Sequence, residues 1–153
     1  MGRNGEGVVG VRARLLVAKG SFSTMGGAER DIIRNLPALS KKFEVSVATL
    51  DSSQQLDSVC EEYGIKLMKP DIYWKPPREA ISRILNKDFS SSLQTWKSVI
   101  GLVENFIDLD YVHLTSGDGS LSMLEIIPDG ISLHFHLLEP HRGLHEDVLH
   151  RMI

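Results

Sequence analysis

One cysteine in 153 residues, Cys60, leaves no partner for an internal disulfide. A reducing compartment is the natural expectation for such a chain. Long apolar runs are missing too: no stretch approaches the ~20 apolar residues that a membrane-spanning helix needs. The first dozen residues are glycine-rich and have no apolar core of a secretory signal, and Glu6 breaks the myristoylation pattern. A cytoplasmic protein, at most peripheral at a membrane surface, is expected. Excess basic charge is absent as well. The formal net charge is -3, which argues against a dedicated nucleic-acid binder. Repeats and low-complexity tracts are not found, the glycines that follow the first strand do not form Gly-x-Gly-x-x-Gly, and no P-loop motif is present, so dinucleotide and P-loop assignments lose support.

What remains is 42% hydrophobic and 24% charged, the composition of one globular domain with a real core. A flexible segment is expected over 1–12 and the domain over 13–153. Apolar runs of strand length alternate with helical patterns. Ala13–Ala18 reads as a first strand. Ile32, Ile33, Leu36 and Leu39 then recur with helical spacing over Ala28–Ser40, where Pro37 should kink or shorten the helix. Glu44–Leu50 is a β-branched strand, Gln54–Tyr63 a helix stopped by Gly64, and Ile65–Met68 a short strand. Three prolines interrupt residues 69–90. Leu93–Ile107 reads as a long helix with Trp96, Ile100, Val103 and Ile107 on one face. Asp110–Thr115, Leu121–Ile127 and Ile131–Leu138 give strand, short helix and strand, and Gly143–Met152 a further helix. This alternation predicts an α/β fold, a Rossmann-like parallel sheet of about five strands flanked by helices. Ligands of such sheets bind beyond the carboxyl ends of the strands, at the topological switch point.

Gly26 and Gly27 stand at the mouth of the first helix. Glycines there let a ligand approach the backbone, and the helix's free N–H groups favour a phosphate or carboxylate. As pattern alone, a tight β–α turn serves equally well. The surrounding residues are more specific. Arg14-Leu15-Leu16-Val17, a loop, Met25-Gly26-Gly27-Ala28-Glu29-Arg30, an apolar helix and Phe43-Glu44-Val45-Ser46-Val47 together resemble the opening of glycosyltransferase family 4. Ser120–Leu124 followed by Ile131–His136 resembles that family's fourth-strand helix and fifth strand. The resemblance spans roughly residues 13–150.

It implies the N-terminal half of a GT-B fold, in which two Rossmann-like domains face each other across a cleft. It implies transfer of a hexosyl group from a nucleotide-sugar to an acceptor, with retention of configuration. The nucleotide-sugar is a co-substrate, and no cofactor, metal or nucleic-acid partner is implied. Gly26 and Gly27 would border the donor phosphates and the acceptor, and His136 would contact the donor sugar. Relatives often carry histidine or glutamate after the fourth strand, where this chain has Thr115–Gly119. Ser116, Asp118, His141 and Arg142 are the acceptor-side candidates. GT-B enzymes run to roughly 350–400 residues as two domains, so a separate donor-binding domain or subunit is expected, and the isolated chain should be inactive. A non-catalytic interaction module and a generic nucleotide-binding Rossmann domain are the alternatives.

Five of the six histidines fall between His134 and His150. His134 and His136, two apart on a strand, share a face, and His141 and His145 would meet on a helix. No spacing among them matches a named metal motif, so scattered surface or packing histidines are expected instead. Between Lys66 and Lys87 six basic residues face only two acidic ones, with Tyr73, Trp74, Lys75 and Arg78 among them. Several members of the family it resembles act on lipid-linked acceptors, so these four residues are candidates for contact with an anionic membrane surface. An ordinary loop with Trp74 packed inward is the alternative.

Overall fold

Leu15, Leu16, Val17 and Ala18 are all buried, although alternate side chains of a strand point to opposite faces. Both faces of this strand must therefore be covered. In the computed structural model, which describes residues 11–76, 87–101 and 106–137, it is the middle strand of a parallel sheet. The strands are β1 (Arg14–Lys19), β2 (Glu44–Ala48), β3 (Lys66–Met68), β4 (Tyr111–Thr115) and β5 (Ser132–His136). Their order is β3-β2-β1-β4-β5, and every pairing is parallel.

Two helices cover one face. Helix α1 (Gly27–Lys42) buries Leu36 and packs Ile32, Ile33 and Leu39 against Val17, Val47 and Phe22. It runs through Pro37 to Lys42, so the expected shortening does not occur. The apolar stripe on both sides of the proline offsets the loss of one backbone donor. Helix α2 (Gln54–Tyr63) is capped by Ser53, which accepts from the Leu56 N–H at 3.2 Å. It ends as expected at Gly64, which has φ +65°.

The other face is covered by α3 (Lys87–Ile100) and the short 3₁₀ helix Leu121–Glu125. Trp96, Ile100 and Met123 join Leu16, Ala18, Val112 and Leu114 in a second core. Helix α3 differs from expectation at both ends. It starts six residues before Leu93 and stops at Ile100, because Gly101 takes a left-handed φ of +71°. Ile107 consequently lies in a turn and is exposed, and Val103 lies outside the described residues. The expected flexible segment before residue 11, the Gly143–Met152 helix, Arg78, His141 and Arg142 also lie outside them.

Right-handed crossovers explain this division. The chain steps from β1 to β2 to β3 with its helices on one face. It then reverses beyond β1 to β4 and β5 with its helices on the other. The reversal lies between β1 and β4. It also leaves the α1 side of β4 and β5 without a helix among the described residues.

Candidate functional site

Three strand ends meet at the reversal. Lys19 closes β1, Thr115 closes β4, and His136 closes β5 opposite Thr115. Lys19 is charged yet only 5% exposed. Its Nζ lies 3.2 Å from Oε1 of Glu29, in the first turn of α1, and donates to the Ser21 carbonyl at 3.2 Å. Thr24 adds its hydroxyl to the same Glu29 oxygen at 3.0 Å. Burial alone would raise the Glu29 carboxyl. Its own backbone N–H, Lys19 and Thr24 together hold it below the usual carboxylate range. One buried ion pair thus ties the end of β1, the loop and the start of α1 together.

Gly20 brings the two loops at the reversal into backbone contact. A Cβ there would sit 2.0 Å from the Asp118 carbonyl, and the Gly20 N–H donates to the Ser120 hydroxyl at 2.9 Å. Gly117, at φ +142°, leaves room for Lys19, whose Nζ would lie 2.7 Å from an added Cβ. Asp118 is exposed, and its backbone, not its side chain, makes the close contact.

Gly26 is the N-cap of α1 in extended conformation, with φ −76° and ψ −168°. The left-handed residue of the loop is Met25, at φ 49°, so neither glycine of the pair uses its freedom at positive φ. Gly27 is open: nothing lies within 4 Å of the place a Cβ would take. Beside it, Ala28 lines a groove of about 650 Å³ that runs between α1 and the bare face of β4 and β5. Asp31, Ile32 and Leu39 form the α1 wall, and Thr115, His113, His134 and His136 the sheet wall. This volume falls in the range of small-molecule sites. The groove therefore runs from Ala28, the residue after the glycine pair, to His136. Ser116 adjoins it through its N–H, which donates to the His136 carbonyl at 3.0 Å.

His136 is exposed and shares its face with His134, as the strand period requires, while Phe135 packs against the opposite core. His113 was not legible as their neighbour, because it lies 21 residues upstream of His134. The β4–β5 register pairs it with His134, and their Nδ1 atoms stand 2.8 Å apart. Burial first, then the charge of His134 and His136, holds the His113 imidazole below its ordinary value. No three of the described histidine, cysteine, aspartate and glutamate side chains are drawn together closely enough to hold a metal as they stand.

The basic, aromatic segment lies at the end of β2. Trp74 is 8% exposed, belongs to the core and donates its indole N–H to Ser91 at 2.9 Å. This corrects its assignment as a membrane anchor, because burial withdraws the ring from the surface. Lys75 is engaged by the buried Asp51 at 2.6 Å, and Tyr73 accepts from Lys69 at 3.2 Å. Asp51 also takes the hydroxyls of Ser21 and Ser23, at 2.9 and 2.6 Å, so it links this segment to the loop after β1. No described helix is long and apolar enough to cross a membrane.

No protein-family profile matches the chain, and no curated protein matches it. Two solved structures are similar. A "glycotransferase of kitacinnamycin" is 12% identical with a TM-score of 0.50, over 93% of this chain and 35% of that one. A UDP-N-acetylglucosamine 2-epimerase is 15% identical with a TM-score of 0.43, over 82% of this chain and 33% of that one. The chain thus spans about a third of the length of the structures it matches. The first likeness bears on fold alone and agrees with a Rossmann-like parallel α/β sheet flanked by helices.

Proposed function

We propose that this chain is the acceptor-side domain of a glycosyltransferase that moves a hexosyl group from a nucleotide-sugar to a sugar or lipid-linked acceptor, with retention of configuration. The observation that carries the proposal is the groove that runs from Ala28, the residue after the open Gly27, to Thr115 and His136 at the carboxyl ends of β4 and β5. The family 4 resemblance assigns these same residues to the cleft. In this account Gly26 and Gly27 let donor phosphate and acceptor approach the backbone, and His136 hydrogen-bonds a hydroxyl of the donor sugar. Ser116, whose backbone is tied to His136, belongs to the acceptor side, and the exposed Asp118 stands beside it. The nucleotide-sugar serves as co-substrate beside the acceptor, and the proposed reaction calls for no cofactor.

Transfer needs a donor-binding domain opposite this one, because half a cleft cannot align donor and acceptor. The protein carrying both domains should move label from one member of a nucleotide-sugar panel to an acceptor, and this chain by itself should not. Failure of the two-domain protein to consume any nucleotide-sugar would contradict the proposal. Among the described residues β5 is an edge strand, with Leu133 42% exposed, and this favours one second reading, a subunit completed by a separately encoded donor-binding chain. Co-purification of such a chain in fixed stoichiometry would support that version.

A further inference from the structure

His113, His134 and His136 occupy three positions of one sheet face with no helix over it among the described residues. His134 and His136 are two apart on β5, and His113 is the register partner of His134 on β4. The backbone therefore places three imidazoles as a triangle whatever their rotamers. Their ring centroids are 4.7, 5.9 and 6.2 Å apart. Three imidazoles bound tetrahedrally at about 2.0–2.1 Å from one zinc ion place their ring centres about 5 Å from each other. The triangle in this protein is close to that size.

The rings themselves are not yet turned inward. His113 and His134 spend their facing Nδ1 atoms on one shared proton at 2.8 Å, and the His136 ring lies within 8° of parallel to that of His134. Separating the two nitrogens to the ~3.3 Å of neighbouring zinc ligands takes about half an ångström. Turning His136 takes a side-chain rotation, which exposed residues make freely. Both β5 histidines are exposed, and the groove along the α1 wall gives an ion access and leaves room for a water as fourth ligand. The Nδ1 proton moves to Nε2 of the same ring as the metal takes its place, so three neutral imidazoles bind with no net proton change.

We infer that His113, His134 and His136 form a three-histidine site for a late first-row divalent cation of the zinc type. The site does not depend on the glycosyltransferase assignment. Where both hold, metal and donor sugar compete for His136, and zinc inhibits transfer.

The test is calorimetric titration of the full chain with zinc chloride at pH 7, repeated with cobalt(II) to read tetrahedral coordination from its visible absorption. One zinc per chain is expected. His134→Gln and His136→Gln, at exposed positions that leave the core intact, should each weaken binding by about tenfold or more. His113→Asn should do the same, with circular dichroism confirming its fold. Replacing His141, His145 and His150 together should leave the affinity unchanged. The proposal is overturned if the wild type takes up no zinc, or if His134→Gln and His136→Gln bind as tightly as wild type. It is equally overturned if binding is lost only in the His141, His145 and His150 variant.

Discussion

Lys19 and Glu29 illustrate how a single buried pair can organise a loop. Their side chains are 7% and 9% exposed, so removing one partner leaves the other charged and desolvated. Lys19→Met should lower unfolding stability by about 3–5 kcal/mol in urea titration, and Lys19→Met with Glu29→Leu should recover most of that loss. A single variant as stable as wild type would show that the pair is dispensable. Protonation acts on the same group. Glu29 and Asp51 are both held below their ordinary values of 4.5 and 3.8 in the fold. Their contribution is therefore complete above those values, declines as pH falls below them, and is gone only below the lower values that the fold imposes. The urea midpoint should begin to drop as pH falls below the ordinary values of 4.5 and 3.8 and keep dropping on further acidification, and Glu29→Gln should flatten part of that drop. A midpoint unchanged to pH 3 would contradict the assignment. The sequence showed a lysine ending an apolar strand and a glutamate after two glycines. It did not show that they meet, because the contact depends on the angle at which α1 leaves the loop.

At the scale of elements, the reversal between β1 and β4 is packed backbone to backbone. Gly20→Ala would drive a methyl group into the Asp118 carbonyl, so the two loops must separate. That change should destabilise the domain severely, whereas Gly27→Ala, facing open space, should leave its thermal midpoint within a degree or two. Equal effects of the two would contradict the packing described. The alternation of apolar runs was enough to read the five strands and their parallel arrangement. It was not enough to place the ends of α3. The Trp96–Ile100 stripe continued by pattern to Ile107, but Gly101 stopped the helix through its backbone conformation. The stripe cannot register such a stop. Trp74 was ambiguous for a related reason. An aromatic among lysines reads as a surface anchor until α3 and the loop after β4 are seen to enclose it.

For the molecule as a whole, the strand order decides what is available for function. The described helices cover β1, β2 and β3 on one side and β1, β4 and β5 on the other. Among the described residues the α1 side of β4 and β5 therefore stays open, and the chain's three described histidines lie on it. His136 was legible as the end of β5, while His113 became its neighbour only through the β4–β5 register. The central claim is that this open face, with His136 at the end of β5, serves sugar transfer. Turnover of the two-domain protein with its nucleotide-sugar, wild type against His136→Ala, tests it most directly. The account predicts a kcat lower by about 10²–10³ in the variant, with the fold intact by circular dichroism. Wild-type turnover in His136→Ala would contradict it.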